Sequence, residues 1–281
     1  MNTVFQLQRE VVVNGRLLSR SLPAFPGFRY LLRLSSRPDP KRVLVVVHGI
    51  SRRPAYMLRC LEAYADAFNY TLVAPVFNRW LYRDYQRLGR PGRGARADLA
   101  FAAMLDDLSA HTGLNEPVHL MGFSGGAQFA HRYVYSRSQT VRSLCLAAAG
   151  WYTAPDAQRA YPYGTFAVGD LLPGSCFSVE GLLRTPTLTL IGEKDIKPDS
   201  AMRSVAGLNQ RQGQNRMERA VWFHNCLECL AKEYNAGVAH GFQVLPDTGH
   251  SFKDAVWKGG LAGYLFNFCE KVCNESSDSD L

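Results

Sequence analysis

HLMGFSGGAQFAH (residues 119–131) sets three glycines around Ser124, between an apolar run and a helical pattern. Within it, Gly122-Phe123-Ser124-Gly125-Gly126 is a G-x-S-x-G. A serine hydroxyl is a weak nucleophile and needs both presentation and a base. A sharp strand-to-helix turn pushes the oxygen into the open, but it leaves no room for side chains two residues before and after. Gly122 and Gly126 meet that need, and Ser124 itself is expected at positive φ. A helix opening at Gly125 would aim its free N–H groups at the same place, where negative charge is favoured. Standing alone the pattern is a weak signal. Ending an apolar strand and opening a helix makes it a strong one.

Outward from this turn, six apolar runs read as buried strands: 43–49, 71–77, 118–124, 143–150, 187–193 and 242–249. They are continuous rather than alternating, as in a parallel sheet covered on both faces. Apolar residues three and four apart predict helices over 55–68, 97–111, 215–235 and 259–273. This alternation argues for an α/β fold with an open, mostly parallel sheet and helices on both faces. Residues 1–34 are expected to add antiparallel strands at one edge. Residues 151–185, rich in aromatics, Gly and Pro, read as an irregular cap-like insertion in a single domain over 1–273. The polar stretch 274–281 reads as a flexible tail. His48-Gly49, Ser124, Asp195 and His250 each fall just after a strand, so one rim of the sheet should collect them.

The chain of 281 residues, 47% of them hydrophobic, can bury a large core. Seven scattered cysteines lack a disulfide-framework spacing. The first twenty residues carry no apolar signal-peptide core, and no run approaches a membrane span. A cytoplasmic enzyme is the expectation. The net charge of +8 owes much to Arg79, Arg83, Arg87, Arg90, Arg93 and Arg96. That run reads as a solvated loop or as an anion-attracting patch. No nucleic-acid-binding signature accompanies it, so no nucleic-acid partner is expected.

With Ser124 followed by TLTLIGEKD (187–195) and LPDTGHSF (245–252), the chain resembles the α/β-hydrolase superfamily, whose order is nucleophile, acid, histidine. GFSGGAQFAHRY, GWYTAPD and NQRQGQNRMERA are also similar to stretches of bacterial members related to polyester depolymerases and feruloyl esterases. The resemblance implies the α/β-hydrolase fold, with Ser124 as nucleophile, His250 as base and Asp195 as the orienting acid. Asp199 is the rival acid, and Asp247 reads as shaping the histidine's loop. The same resemblance implies an oxyanion hole from the N–H groups of Gly125 and Ile50, with Ser51 the alternative to Ile50. His48 is then a loop-shaping residue.

Trp151 and Tyr152, directly after the strand 143–150, and Phe123 are candidates for the substrate pocket. His111, His119, His131, His224 and His240 fall within helices and strands and lack such neighbours. The C-x-x-C of Cys226 and Cys229 has no further ligands at zinc spacing and reads as helical core. Neither a Walker loop nor a dinucleotide fingerprint is present, so no cofactor or metal is expected. The expected function is cleavage of small-molecule carboxylic esters through an acyl-serine. The alternatives are a thioesterase, with the arginine run holding CoA phosphates, a peptidase, or a non-catalytic binding protein of the same fold.

Overall fold

The computed structural model describes residues 11–13 and 17–278. The six apolar runs form the parallel strands β4 (Val43–Val47), β5 (Thr71–Val76), β6 (Val118–Phe123), β7 (Val141–Ala147), β8 (Thr187–Gly192) and β9 (His240–Leu245). Before them come β1 (Val11–Val13), β2 (Leu17–Ser21) and β3 (Arg29–Arg33). The sheet order is β1-β2-β3-β5-β4-β6-β7-β8-β9. The first three strands pair antiparallel out to β5, and every later pairing is parallel. The antiparallel edge expected from 1–34 is therefore present, although residues 1–10 and 14–16 lie outside the described residues.

Alternate side chains of one strand feed two cores. Val43, Val45 and Val47 of β4 face Phe101, Phe129 and Phe223, while Leu44 and Val46 face Leu61, Leu265 and Phe266. The first face is covered by α2 (Ala97–Thr112) and α3 (Gly125–Arg137), and by Phe223 of a later helix. The second is covered by α1 (Pro54–Phe68) and by the C-terminal helices. Each aliphatic side chain sealed this way contributes about 1.5–3 kcal/mol.

After β7 the chain runs through α4 (Val168–Leu171), α5 (Val179–Leu183), α6 (Ala206–Gln212) and α7 (Arg216–Glu233). It ends with α8 (Phe252–Trp257) and α9 (Leu261–Asp278). Helices α6 and α8 were not read from periodicity, because each is under eight residues, about two turns or less. α8 nonetheless carries a start signal: Ser251 Oγ accepts from the Asp254 N–H at 3.2 Å. The last strand is shorter than its apolar run, since Pro246 has no N–H to give the ladder and Asp247 turns at φ 51°. At the other end, α9 continues through residues 274–278, which the sequence assigned to a tail. Residues 279–281 lie outside the described residues.

The turn at Ser124 depends on two glycines. A Cβ on Gly126 would lie 2.0 Å from the Val47 carbonyl oxygen, and one on Gly122 2.3 Å from the Gly126 carbonyl. β4, β6 and α3 can meet at this spacing only without those side chains. Gly207, in α6, faces open space. Gly126→Ala is therefore expected to destabilise the fold by about 3 kcal/mol or more, whereas Gly207→Ala stabilises it by about 0.5 kcal/mol. Thermal and urea unfolding of the two variants checks the contrast.

Candidate active site

Ser124 sits between β6 and α3 at φ 55°, ψ −113°. Its N–H donates to the Ala147 carbonyl at 2.8 Å, and its own carbonyl accepts from the Gln128 N–H at 3.2 Å. The backbone is thus held at both ends in a region that a side chain with a Cβ disfavours. The hydroxyl is left to face a cavity of about 490 Å³ beyond the parallel strand ends.

His250 reaches it from the loop after β9. Its Nε2 lies 3.0 Å from Ser124 Oγ, and its Nδ1 lies 2.7 Å from Asp195 Oδ2. An ionised carboxylate only accepts, so Nδ1 carries the proton and Nε2 presents its lone pair to the hydroxyl. The loops that carry the acid and the imidazole are joined by backbone bonds. Glu193 N–H donates to Leu245 O at 2.9 Å, and Lys194 N–H to Thr248 O at 2.8 Å. The Phe123 ring stacks beside the imidazole, with centroids 5.3 Å apart, and Phe252 packs edge-on against Phe123 at 5.3 Å. These contacts restrict the imidazole to one plane.

Asp199, the rival acid, points elsewhere. Its Oδ1 accepts from Arg216 Nη2 at 2.9 Å, and the same guanidinium reaches Asp195 Oδ1 through Nη1 at 3.2 Å. Arg216 and Asp195 side chains are each 2% exposed. Asp195 therefore has one oxygen on the imidazole and the other on an arginine. Arg216 begins α7, and nothing in its local sequence indicated this role. Asp247 forms a surface pair with Lys194 at 2.7 Å, at the outside of the histidine loop.

Gly49 to Arg52 forms a tight turn after β4, closed by Arg52 N–H donating to Gly49 O at 3.0 Å. Ile50 and Ser51 of that turn line the cavity. Among the described residues the N–H groups of Ile50, Ser51 and Gly125 donate to no protein acceptor. Behind them, burial lowers the His48 pKa to about 4. Its neutral ring bonds Gly49 O through Nδ1 at 2.9 Å and accepts from Phe77 N–H through Nε2. Tyr85 and Gln86 crowd the space over Gly125: a Cβ there would meet Tyr85 Oη at 2.7 Å and Gln86 Nε2 at 2.6 Å. Both residues lie inside the arginine-rich stretch and were hidden by it.

Two expectations need correction. Trp151 and Tyr152 do not line the cavity. Trp151 lies under the Arg132 guanidinium at 4.2 Å, and Tyr152 stacks on Phe223 at 4.1 Å, so both turn into the core behind α3. Phe123 does line the cavity, and Ala201 rather than any residue of 151–185 closes that side. Of the arginine run, whose role the sequence left open, three members are ion-paired close by and a fourth bonds carbonyls of its own loop. Arg87 and Arg90 pair with Asp84 at 2.9 and 2.8 Å, Arg96 with Asp98 at 2.6 Å, and Arg83 with backbone carbonyls. Finally, Cys229 is exposed rather than part of a helical core.

Two other histidines are engaged elsewhere. His131 bonds Ala127 O at 2.8 Å and Thr153 N–H at 2.9 Å, and His119 bonds Ser143 Oγ at 2.7 Å. Among the described residues no three His, Cys, Asp or Glu side chains converge as a metal site, and no helix is long and apolar enough to cross a membrane.

Strand order, the turn at Ser124 and the placement of the site at the strand ends define an α/β-hydrolase fold. Solved structures similar to this chain agree. They include LpqC, a poly(3-hydroxybutyrate) depolymerase from Bordetella parapertussis, at 24% identity and TM-score 0.71 over 89% of this chain and 94% of that one. Poly(aspartic acid) hydrolase-1 from Sphingomonas sp. KT-1 matches at 24% identity and TM-score 0.69 over 86% and 95%. FphF, a fluorophosphonate-binding serine hydrolase of Staphylococcus aureus, matches at 12% identity and TM-score 0.56 over 91% and 99%. No family model and no curated protein matches the sequence.

Arg216 holds the Asp199 carboxyl below the usual carboxylate range. A depressed folded pKa adds stability above the unfolded value, and that stability is lost as pH falls through the folded one. With Asp199 43% exposed, solvent screens the pair. Asp199→Asn is expected to cost up to about 1 kcal/mol at pH 7 and progressively less in acid below the ordinary carboxylate range. Denaturant unfolding at a series of pH values reads the difference.

Proposed function

We propose that the chain is a serine hydrolase that cleaves carboxylic esters through an acyl-enzyme on Ser124. The observation that carries the reading is the continuous hydrogen-bonded path from Ser124 Oγ through His250 to Asp195, at 3.0 and 2.7 Å, opening on a cavity. In this reading Ser124 Oγ attacks the carbonyl carbon as its proton passes to His250 Nε2. Asp195 keeps the imidazole in the required tautomer and stabilises the imidazolium. The carbonyl oxygen, now an oxyanion, accepts from the N–H groups of Gly125 and Ile50 (or Ser51), which are otherwise unspent. His250 returns its proton to the alcohol as it leaves. Water then repeats the sequence on the acyl-serine and restores the free hydroxyl.

Two further points support an ester substrate. The cavity holds Met57, Phe123 and Phe252 beside the reacting hydroxyl, giving an apolar wall for an acyl chain. Among the structural neighbours are a polyester depolymerase and a protein named ferulic acid esterase.

The wild-type chain is expected to react with a fluorophosphonate probe at one site and to hydrolyse p-nitrophenyl butyrate. Ser124→Ala abolishes both, and Asp195→Asn lowers kcat by about 10⁴-fold. Mass spectrometry of the labelled peptide and steady-state kinetics make the test. A wild-type chain that takes no label and turns over no ester would instead be a binding protein of this fold.

A further inference from the structure

The cavity at Ser124 shares a wall with a second one. Arg53 and Tyr56 line both. From there a groove of about 410 Å³ passes Arg29, Arg52 and Arg59, between the first turn of α1 and the ends of β3 and β5. Lys253 stands on the first cavity's wall. Apart from His250, five cationic side chains and no carboxylate line the two.

The nearby acids are spent on other partners. Glu62 and Asp66 pair with Arg33 at 3.0 and 2.7 Å, and Asp254, which faces Tyr56, pairs with Lys258 at 3.2 Å. Arg29, Arg53, Arg59 and Lys253 have no ion pair among the described residues. The Arg52 guanidinium donates only to carbonyls, Phe77 O at 2.9 Å and Tyr82 O at 3.1 Å, and lies 5.0 Å over the Tyr85 ring.

The backbone adds to the same field. α1 starts without a side-chain cap, and the N–H groups of Ala55 and Tyr56 in its first turn have no acceptor. The positive end of a 15-residue helix therefore opens on the groove. A cleft lined by one sign of charge concentrates ligands of the other sign. In the 79–96 loop, by contrast, Arg87, Arg90 and Arg96 are paired with Asp84 and Asp98.

We infer that the groove receives an anionic part of the substrate: the compound cleaved at Ser124 carries carboxylate or phosphate oxygens beyond its reacting carbonyl. Arg53, Arg59 and Arg29 hold those oxygens while the carbonyl lies at the hydroxyl. This deepens the ester-hydrolase reading and rests on it for the chemistry, but the anion site itself can be measured without turnover.

Two sets of measurements test it. The first is calorimetric titration of the wild-type chain with glutarate and with coenzyme A. At least one is expected to bind, and Arg59→Gln weakens that binding by roughly tenfold. The second compares kcat/KM for p-nitrophenyl hemiglutarate against p-nitrophenyl butyrate, and for acetyl-CoA against S-acetyl-N-acetylcysteamine. One anionic member should be preferred. Its advantage should fall roughly tenfold in Arg59→Gln, and also in about 0.5 M salt. Arg184→Gln, a surface charge outside the groove, should keep the wild-type ratio.

A preference confined to the first pair assigns the anion to a carboxylate, and one confined to the second to the nucleotide phosphates. The inference is overturned if neither anion binds, if binding ignores Arg59, or if both ratios stay at the neutral value. If no substrate is turned over and Ser124 takes no probe, while an anion still binds through Arg59, the hydrolase reading and the substrate role have failed and an anion site alone remains.

Discussion

Contact between the Val47 carbonyl and the Cα of Gly126 is the constraint from which the site is built. It lets α3 start directly against the end of β4, with β6 running alongside. Gly122, packed on the Gly126 carbonyl, then forces the chain to reverse at Ser124. With the backbone tied by Ala147 and Gln128, the hydroxyl has one direction left, outward past the strand ends. The N–H of Gly125, first in the helix, is left over for the same reason: no residue one turn earlier can accept from it. A single steric arrangement thus supplies both an oxygen that faces the cavity and an unspent donor.

The imidazole and the carboxylate reach this oxygen through a second arrangement of the same kind. β8 and β9 are parallel neighbours, and the loops beyond them continue the pairing through Glu193–Leu245 and Lys194–Thr248. Gly192 permits this, because a Cβ there would lie 2.3 Å from Thr248 O. These bonds fix Asp195 and His250 relative to each other without involving Ser124. Arg216 completes the set by occupying the carboxylate oxygen that the imidazole does not use. Leaving that oxygen buried without a partner would be costly.

Charge is divided unevenly over the surface. The sequence concentrates arginine at 79–96, where Arg87, Arg90 and Arg96 pair with Asp84 and Asp98 and Arg83 bonds carbonyls of its own loop. Unpaired charge also gathers at Arg29, Arg53 and Arg59, which are scattered in sequence and meet only when β3 and α1 dock at one corner of the sheet. Density of charge along a chain says little about where field is felt. Pairing decides it, and pairing depends on neighbours in space.

Local chemistry made much of this protein legible without coordinates. Five of the six parallel strands show as continuous apolar runs because both of their faces are buried, whereas the edge strand β9 is half-buried. The turn at Ser124 shows in its glycines, since the clash Gly122 avoids lies within five residues, although the one Gly126 avoids comes from Val47 on another strand, and Asp195 and His250 stand out as polar groups just past strand ends. Facing and partnership were not legible. Trp151 and Tyr152 follow a strand at the active rim, yet they turn inward because Arg132 and Phe223, far away in the chain, offer them partners. Arg216, Tyr85 and Gln86 carry no local mark, because their partners come from other elements: Arg216 bonds Asp195 and Asp199 at spans of 21 and 17 residues, Tyr85 bonds His48 at 37 and Gln86 bonds Arg132 at 46. Sequence alone determined which turns the backbone must make, a matter of short-range sterics. Tertiary structure decided which side chains share a cavity, because that depends on how separate elements pack.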